Sequence, residues 1–303
     1  VVNADGVFKA DGTKLRHHTN NIWQTLRIEA DTVNGTVLYK VNGKKVGEFA
    51  LSAAAQTVDN ITVANTSGTV FFDDAKVFMT HDHDDYCPVP KPITDDGYDV
   101  ILNICSLWRE GSHAGWDCIS PYDDVKTVLG FYDEGLPETS DWEIKFMVEH
   151  GIDYELYCWY SAESHEPIKS THLHYAWLDG HFYAKYAEYE KFALLWEAAN
   201  CKHPTCLEDF KYNLVPYWLD YFFSDDRYMR IDNKAVMSCF GVWCVEHDLG
   251  GPEKVREGLQ YLRDEVKKLG YDDLIVMGCH ADPNQLKNLG FDAFHAYHWG
   301  GDG

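Results

Sequence analysis

Carboxylates placed where a strand ends are the side chains best suited to acid–base work. Glu197 closes the apolar run Leu194-Leu195-Trp196-Glu197. A carboxyl group there can move a proton or hold a hydroxyl-rich ligand, and two of them astride a bond are what glycoside cleavage requires. Ordering the neighbouring loops is its competing role. Asp133 and Glu134 stand in a Gly-flanked loop ahead of a helix, where carboxylates also serve as partners of the helix N-terminus. Trp108 and Arg109 end one strand candidate, Trp159 and Tyr160 another, and His298 and Trp299 a third. His203 lies just past the strand that carries Glu197. Aromatic rings at such points offer a floor for a sugar, a His offers a hydrogen bond, and core packing is the alternative for each. Glu197 is the leading acid, and no catalytic pair is assigned.

Other chemistries find less support. His81-Asp82-His83-Asp84-Asp85 has a metal-like composition. Its oxygen ligands would favour calcium, the one ion considered, and a solvated linker is the alternative. No metal ligands are otherwise assigned and no cofactor is expected. The chain has nine cysteines but no CxxC pair, which argues against a structural zinc site. Cys201 and Cys206 are close enough to bridge the loop between them or to stay free. His172 and His174 cannot share a helix face. There is no Gly-x-Ser-x-Gly elbow for a serine hydrolase and no Gly-rich phosphate loop. Asn34, Asn60 and Asn65 open glycosylation sequons, Asn34 at a turn.

The elements that must position these residues fall into two blocks. Residues 1–80 read as β-structure, with Thr25–Ala30 alternating and Thr36–Val41 and Lys45–Phe49 flanking the hairpin signal Asn42-Gly43. Asn60–Val63 and Thr69–Phe78 are two further strand candidates. The spacing predicts the C-terminal part of a jelly-roll sandwich. A proline-spaced linker follows over residues 81–97. From residue 98 strands alternate with helices. The predicted strands are Val100–Leu107, Ile152–Tyr160, Lys191–Glu197, Ala235–Trp243, Leu274–Gly278 and Ala293–Trp299. The predicted helices include Thr139–His150, Tyr183–Tyr189, Leu207–Phe223, Pro252–Leu269 and Asn284–Leu289. This alternation predicts an α/β fold, a (β/α)8 TIM-type barrel over residues 98–303 of which the first six βα units are present, incomplete at the C-terminus.

A formal charge of −23 disfavours nucleic acid and anionic membrane surfaces and is compatible with neutral carbohydrate. No apolar run reaches the ~18 residues of a membrane span. The first residues lack a signal-peptide pattern, as a mature chain would.

The motifs in the second block carry a resemblance. Leu129-Gly130-Phe131-Tyr132-Asp133-Glu134-Gly135-Leu136-Pro137-Glu138, Asp141–Lys145, Val148–Asp153 and Tyr157-Cys158-Trp159-Tyr160 are among them. So are Phe192–Glu197, Tyr217-Trp218 with Asp220–Phe222, Tyr228–Lys234 and Asp248–Gly251. Together they resemble the glycoside hydrolase family 99-like (WbsX-like) domain over residues 98–299. The first 80 residues resemble, by weaker motifs, a concanavalin- or laminin-G-like sandwich. The resemblance implies a secreted or cell-surface glycoside hydrolase acting on a polysaccharide or glycan through two carboxylates, with a non-catalytic glycan-binding or surface-assembly protein as the alternative. The family's acidic motif near its last strands has no match here, so the resemblance puts the catalytic pair beyond residue 303.

Overall fold

The computed structural model describes the chain apart from residues 1, 4–6, 11–12, 18–21, 43, 52–61, 63, 65–67, 73–74, 76, 78–85, 94–96, 110–114, 120, 123, 125, 162–167, 169–171, 201 and 298–303. Strands β1 (Val2–Asn3), β2 (Val7–Ala10) and β3 (Thr13–His17) form one antiparallel sheet. Strands β4 (Leu26–Asp31), β5 (Thr36–Val41) and β6 (Lys44–Ala50) form another. Asn42 turns the β5–β6 hairpin at φ 49°, a conformation its short polar side chain tolerates. That side chain is buried. Its Oδ1 accepts from the Thr25 N–H at 2.9 Å and its Nδ2 donates to Asp220 Oδ2 at 3.0 Å. One residue thus shapes the hairpin and ties it to the helical layer of the second block. The described residues show no closed jelly roll, and most of Asn60–Val63 lies outside them. They make two separate three-stranded sheets, and Thr69–Phe72 pairs with nothing in a ladder. Val70, Phe71 and Phe72 are exposed, with no facing sheet among the described residues.

The linker's described part, residues 86–93, lies along a helix rather than standing free. Tyr86 OH donates to Asp141, the Lys91 N–H to Glu149 Oε1 at 2.9 Å and the Ile93 N–H to the Val148 carbonyl at 3.2 Å.

The second block opens with β7 (Ile101–Ile104), α1 (Trp116–Ile119), α2 (Pro137–Val148), β8 (Tyr154–Trp159) and β9 (Lys191–Glu197). A helical run over residues 207–223 contains α3 (Leu207–Asp209) and α4 (Val215–Trp218), each followed by a π-wound turn. Pro216 has no N–H to give the turn before it, and the wider winding there absorbs the lost bond. Then come β10 (Arg230–Ile231), β11 (Lys234–Phe240), α5 (Val242–Leu249), α6 (Pro252–Lys267), β12 (Asp273–Cys279), α7 (Pro283–Leu289) and β13 (Ala293–His295). Two expectations need correction. The strand predicted to reach Trp243 stops at Phe240, because Gly241 at φ +78° turns the chain straight into α5. Tyr183–Tyr189 is not one helix but two single turns parted by extended Ala184.

The parallel strands lie in the order β13-β12-β11-β9-β8-β7, with β10 antiparallel on β11. Chain order and spatial order agree, so the sheet is singly wound and has no switch point of the dinucleotide-binding kind. It is also curled. A flat sheet would hold β8 and β13 about 19 Å apart, at roughly 4.8 Å per strand. Instead Cys158 of β8 approaches the hydroxyl of Tyr297, just past β13, to 3.8 Å. Asn103 Nδ2 of β7 reaches the Tyr297 carbonyl at 3.5 Å. The described strands therefore form a partial parallel barrel, with helices on its convex side. Among the described residues no helix is long and apolar enough to cross a membrane.

Candidate functional site

Every residue of β8 is buried, because this strand is covered on both faces. Alternation along the strand decides which side each residue serves. Tyr157 and Trp159 face the helices: Tyr157 meets Trp177 at 4.6 Å, and Trp159 meets Tyr217 at 5.7 Å and Trp218 at 5.6 Å. Cys158 and Tyr160 face the concave side, where Tyr160 OH lies 3.6 Å from Cys105 Sγ, just past β7. In β9, Phe192 and Trp196 point outward onto Trp177 and Trp218. Glu197 is the next residue, so it turns inward, opposite Phe240 in the β9–β11 register. Phe240 in turn meets Tyr297 at 5.8 Å. The C-terminal strand ends thus collect Cys105, Cys158, Tyr160, Glu197, Phe240 and Tyr297 in one mouth.

Glu197 is buried there and accepts from the Ala199 N–H at 3.2 Å. The thiols beside it are linked. The Cys158 thiol and the Tyr160 hydroxyl donate to Cys105 sulfur and draw the Cys105 thiol down to about 6, against burial and the Glu197 charge. The same bond holds Cys158 above its ordinary value. Burial and then the two cysteines push Tyr160 up, so its hydroxyl keeps its proton. Deeper on the inner face, Ser238 Oγ and His295 Nδ1 lie 3.1 Å apart. The mouth is thus acidic and rich in hydroxyl and aromatic groups.

Gly241 lets two strand ends come together at this mouth. A Cβ there would stand 2.7 Å from the Ala199 nitrogen, on a backbone with φ +78°. Gly241→Ala is expected to cost at least about 1–3 kcal/mol from the left-handed backbone alone. Chemical denaturation checks this, and an unchanged midpoint would contradict it.

The remaining sequence candidates go elsewhere. Trp159 lies in the helical layer, 3% exposed beneath Tyr217 and Trp218, and has no face on the mouth. Trp108 and Glu134 do meet, in a separate group: the Trp108 N–H donates to Glu134 Oε2 at 2.8 Å. Trp108 also packs on Trp116 at 4.4 Å. Asp133 pairs with Arg109 at 2.8 Å and accepts from the Gly135 N–H at 2.7 Å, shaping the loop before α2. His203 is buried, with Nδ1 2.8 Å from Asp209 Oδ2. Ser161 Oγ bonds the backbone carbonyl of His203, not its ring, so no Ser–His–Asp relay forms. His298, Trp299 and the His81–Asp85 stretch lie outside the described residues, as does Cys201. Cys206 carries a free thiol that accepts from the Asp209 N–H at the start of α3.

Burial, outweighing the Trp108 N–H bond, raises the Glu134 carboxyl to about 8 from an ordinary 4.5. The folded state therefore holds a proton that the unfolded chain releases earlier. Stability from this group is intact below about pH 4.5 and falls progressively towards about pH 8. Glu134→Gln is expected to flatten this part of the stability–pH profile and to raise stability above pH 8 on the order of a few kcal/mol. Urea midpoints over pH 5–9 check it, and a parallel slope in the variant would contradict it.

Sequence reasoning missed three features. Tyr297 and Cys105 belong to the mouth but lie in strand-end segments with no motif around them. Trp243 is 67% exposed in the first turn of α5, where the apolar run predicts a strand. The third is a polar cluster in the helical layer. Glu155 on the outer face of β8, His181 between α2 and β9, Glu190 before β9 and Glu143 of α2 come together there, and the first three are fully buried.

No family model matches the chain, and no curated protein matches it. Two solved structures of a GH99 endo-α-mannosidase from Bacteroides thetaiotaomicron are similar to it. The first, a complex with Bis-Tris-propane, has a TM-score of 0.48 and 13% identity, and the match covers 66% of this chain and 58% of that one. The second has a TM-score of 0.47 and 14% identity over 68% of this chain and 62% of that one. The chain thus spans less than two thirds of the length of either.

Proposed function

We propose that the chain is the barrel portion of a glycan-acting hydrolase and that the mouth around Glu197 binds the sugar. One observation carries this reading. A buried carboxylate stands on the inner face at the C-terminal end of a singly wound parallel sheet, where barrel active sites are built, among tyrosines from other strands. Glu197 accepts sugar hydroxyls in a water-poor site, while Tyr160 and Tyr297 orient the ring. Hydrolysis needs a second carboxylate across the scissile bond from Glu197. The test is a screen of neutral oligosaccharides for binding, with reducing-end release measured separately. Saturable binding by the wild type supports the reading, and no binding across the panel overturns it. Capture without cleavage is the second reading. It is favoured by the described groups gathered with Glu197 in the mouth being thiols, hydroxyls and rings, and binding without turnover by the intact protein would select it.

A further inference from the structure

The buried cluster in the helical layer is not used by the mouth, and its charges do not balance. His181 Nδ1 lies 2.6 Å from Glu190 Oε2 and 3.8 Å from Glu155 Oε2, while its Nε2 lies 3.3 Å from Glu143 Oε2. Arg227 stands near Glu190 but is already engaged by Asp225 through two nitrogens at 3.1 Å. Three glutamates therefore gather on one imidazole, with Arg227 divided between Glu190 and Asp225, in a place where an unpaired charge is costly. Glu155 Oε2 and Glu190 Oε1 are buried, and they gain a hydrogen-bond partner only if they share a proton with each other or take one from Tyr157. Buried as well is the hydroxyl of Tyr157, whose ring edge meets His181 at 5.5 Å.

We propose that Glu155, His181 and Glu190 form a binding site for one divalent transition-metal ion of the zinc class. Their ligand atoms all lie within 4.8 Å of one another. Atoms around an ion held at about 2.0–2.2 Å sit roughly 3–4 Å apart, so a small contraction completes the site. Two oxygens and one imidazole nitrogen suit zinc or its neighbours better than calcium, which wants six or more oxygens. The environment of His181 points the same way. With an ion in place of the proton, Nδ1 would give its lone pair to the metal while Nε2–H donated to Glu143, the arrangement in which a second-shell carboxylate orients a metal-bound histidine. Tyr157 or a water supplies the fourth position. The ion would join β8, the segment before β9 and, through Glu143, α2. Gly180 permits this closeness, since a Cβ there would meet the Glu134 carbonyl and Ser140 Oγ at 2.4 Å.

The rival is a cluster held by protons alone, with Glu155 protonated and sharing its proton with Glu190. A buried ion enters most readily during folding, so the 303-residue chain is refolded from denaturant with and without Zn2+, desalted and assayed for bound metal and thermal midpoint. Co2+ in place of Zn2+ gives a visible absorption readout. The expected result is a single retained equivalent, a higher midpoint with zinc and cobalt bands of a tetrahedral site. Glu155→Gln relieves charge without changing shape and is expected to stay folded while losing the metal and the zinc-dependent rise. Glu143→Gln, which touches only the imidazole, is expected to weaken binding about 10–100-fold. A folded wild type that retains no metal and shows no shift overturns the proposal in favour of shared protons. An equal rise in Glu155→Gln overturns the assignment to these residues.

Discussion

Glu197→Gln is expected to weaken binding of a neutral oligosaccharide about 10–100-fold, because a hydrogen bond to a charged group is worth roughly 1.5–3 kcal/mol. The substitution keeps the side chain's size. It removes an acceptor that register places on the inner face, opposite Phe240 and among Tyr160 and the thiols of Cys105 and Cys158. Stability should hold or rise slightly, since a buried carboxylate gives way to a neutral amide. Trp159→Phe is the contrasting control. Trp159 packs on Tyr217 and Trp218 on the other side of the sheet, so its loss should lower stability and leave affinity unchanged. Isothermal titration with a ligand from the oligosaccharide screen separates the two. If Trp159→Phe weakens binding and Glu197→Gln does not, the faces have been assigned the wrong way round.

Trp218→Ala should give the largest loss of stability, about 3–5 kcal/mol, as expected for removing a buried tryptophan whose surroundings cannot collapse into the space. Trp218 is fully buried and sits where three elements meet. Its ring contacts Trp159 of β8, Trp196 of β9 and Phe210 of the preceding helical turn, at 5.6, 5.1 and 6.0 Å. All three neighbours are themselves buried aromatics with little freedom to shift. The loss should also reach the N-terminal hairpin, because Asp220, two residues on, accepts from Asn42 and Gln24. Urea denaturation followed by tryptophan fluorescence checks this. A cost below about 1 kcal/mol would show that the helical run over 207–223 is not packed as described.

Much of the second block is legible in the sequence because parallel strands buried on both faces read as apolar runs. Lys191–Glu197 is found to the residue, and α6 is announced by Pro252 at its start and Gly270 beyond its end. The Asn42-Gly43 turn is likewise local chemistry. The same burial hides the site. Since both faces of β8 are covered, nothing in Tyr-Glu-Leu-Tyr-Cys-Trp tells which side each residue serves, so Trp159 and Tyr160 read alike although they point in opposite directions. The Glu155–His181–Glu190 cluster draws on β8, a turn and a strand's approach, with no local spacing to betray it. In the first 80 residues alternating strands can be found one by one, as β4, β5 and β6 show, but which sheet covers which is a long-range matter that alternation does not encode.

The most direct test is a crystal structure of the chain with an oligosaccharide selected by the screen. The expected result is a sugar in the strand-end mouth, with a hydroxyl about 3 Å from a Glu197 oxygen and the ring between Tyr160 and Tyr297. A sugar seated on the helical layer or on the N-terminal sheets, with Glu197 untouched, would contradict it.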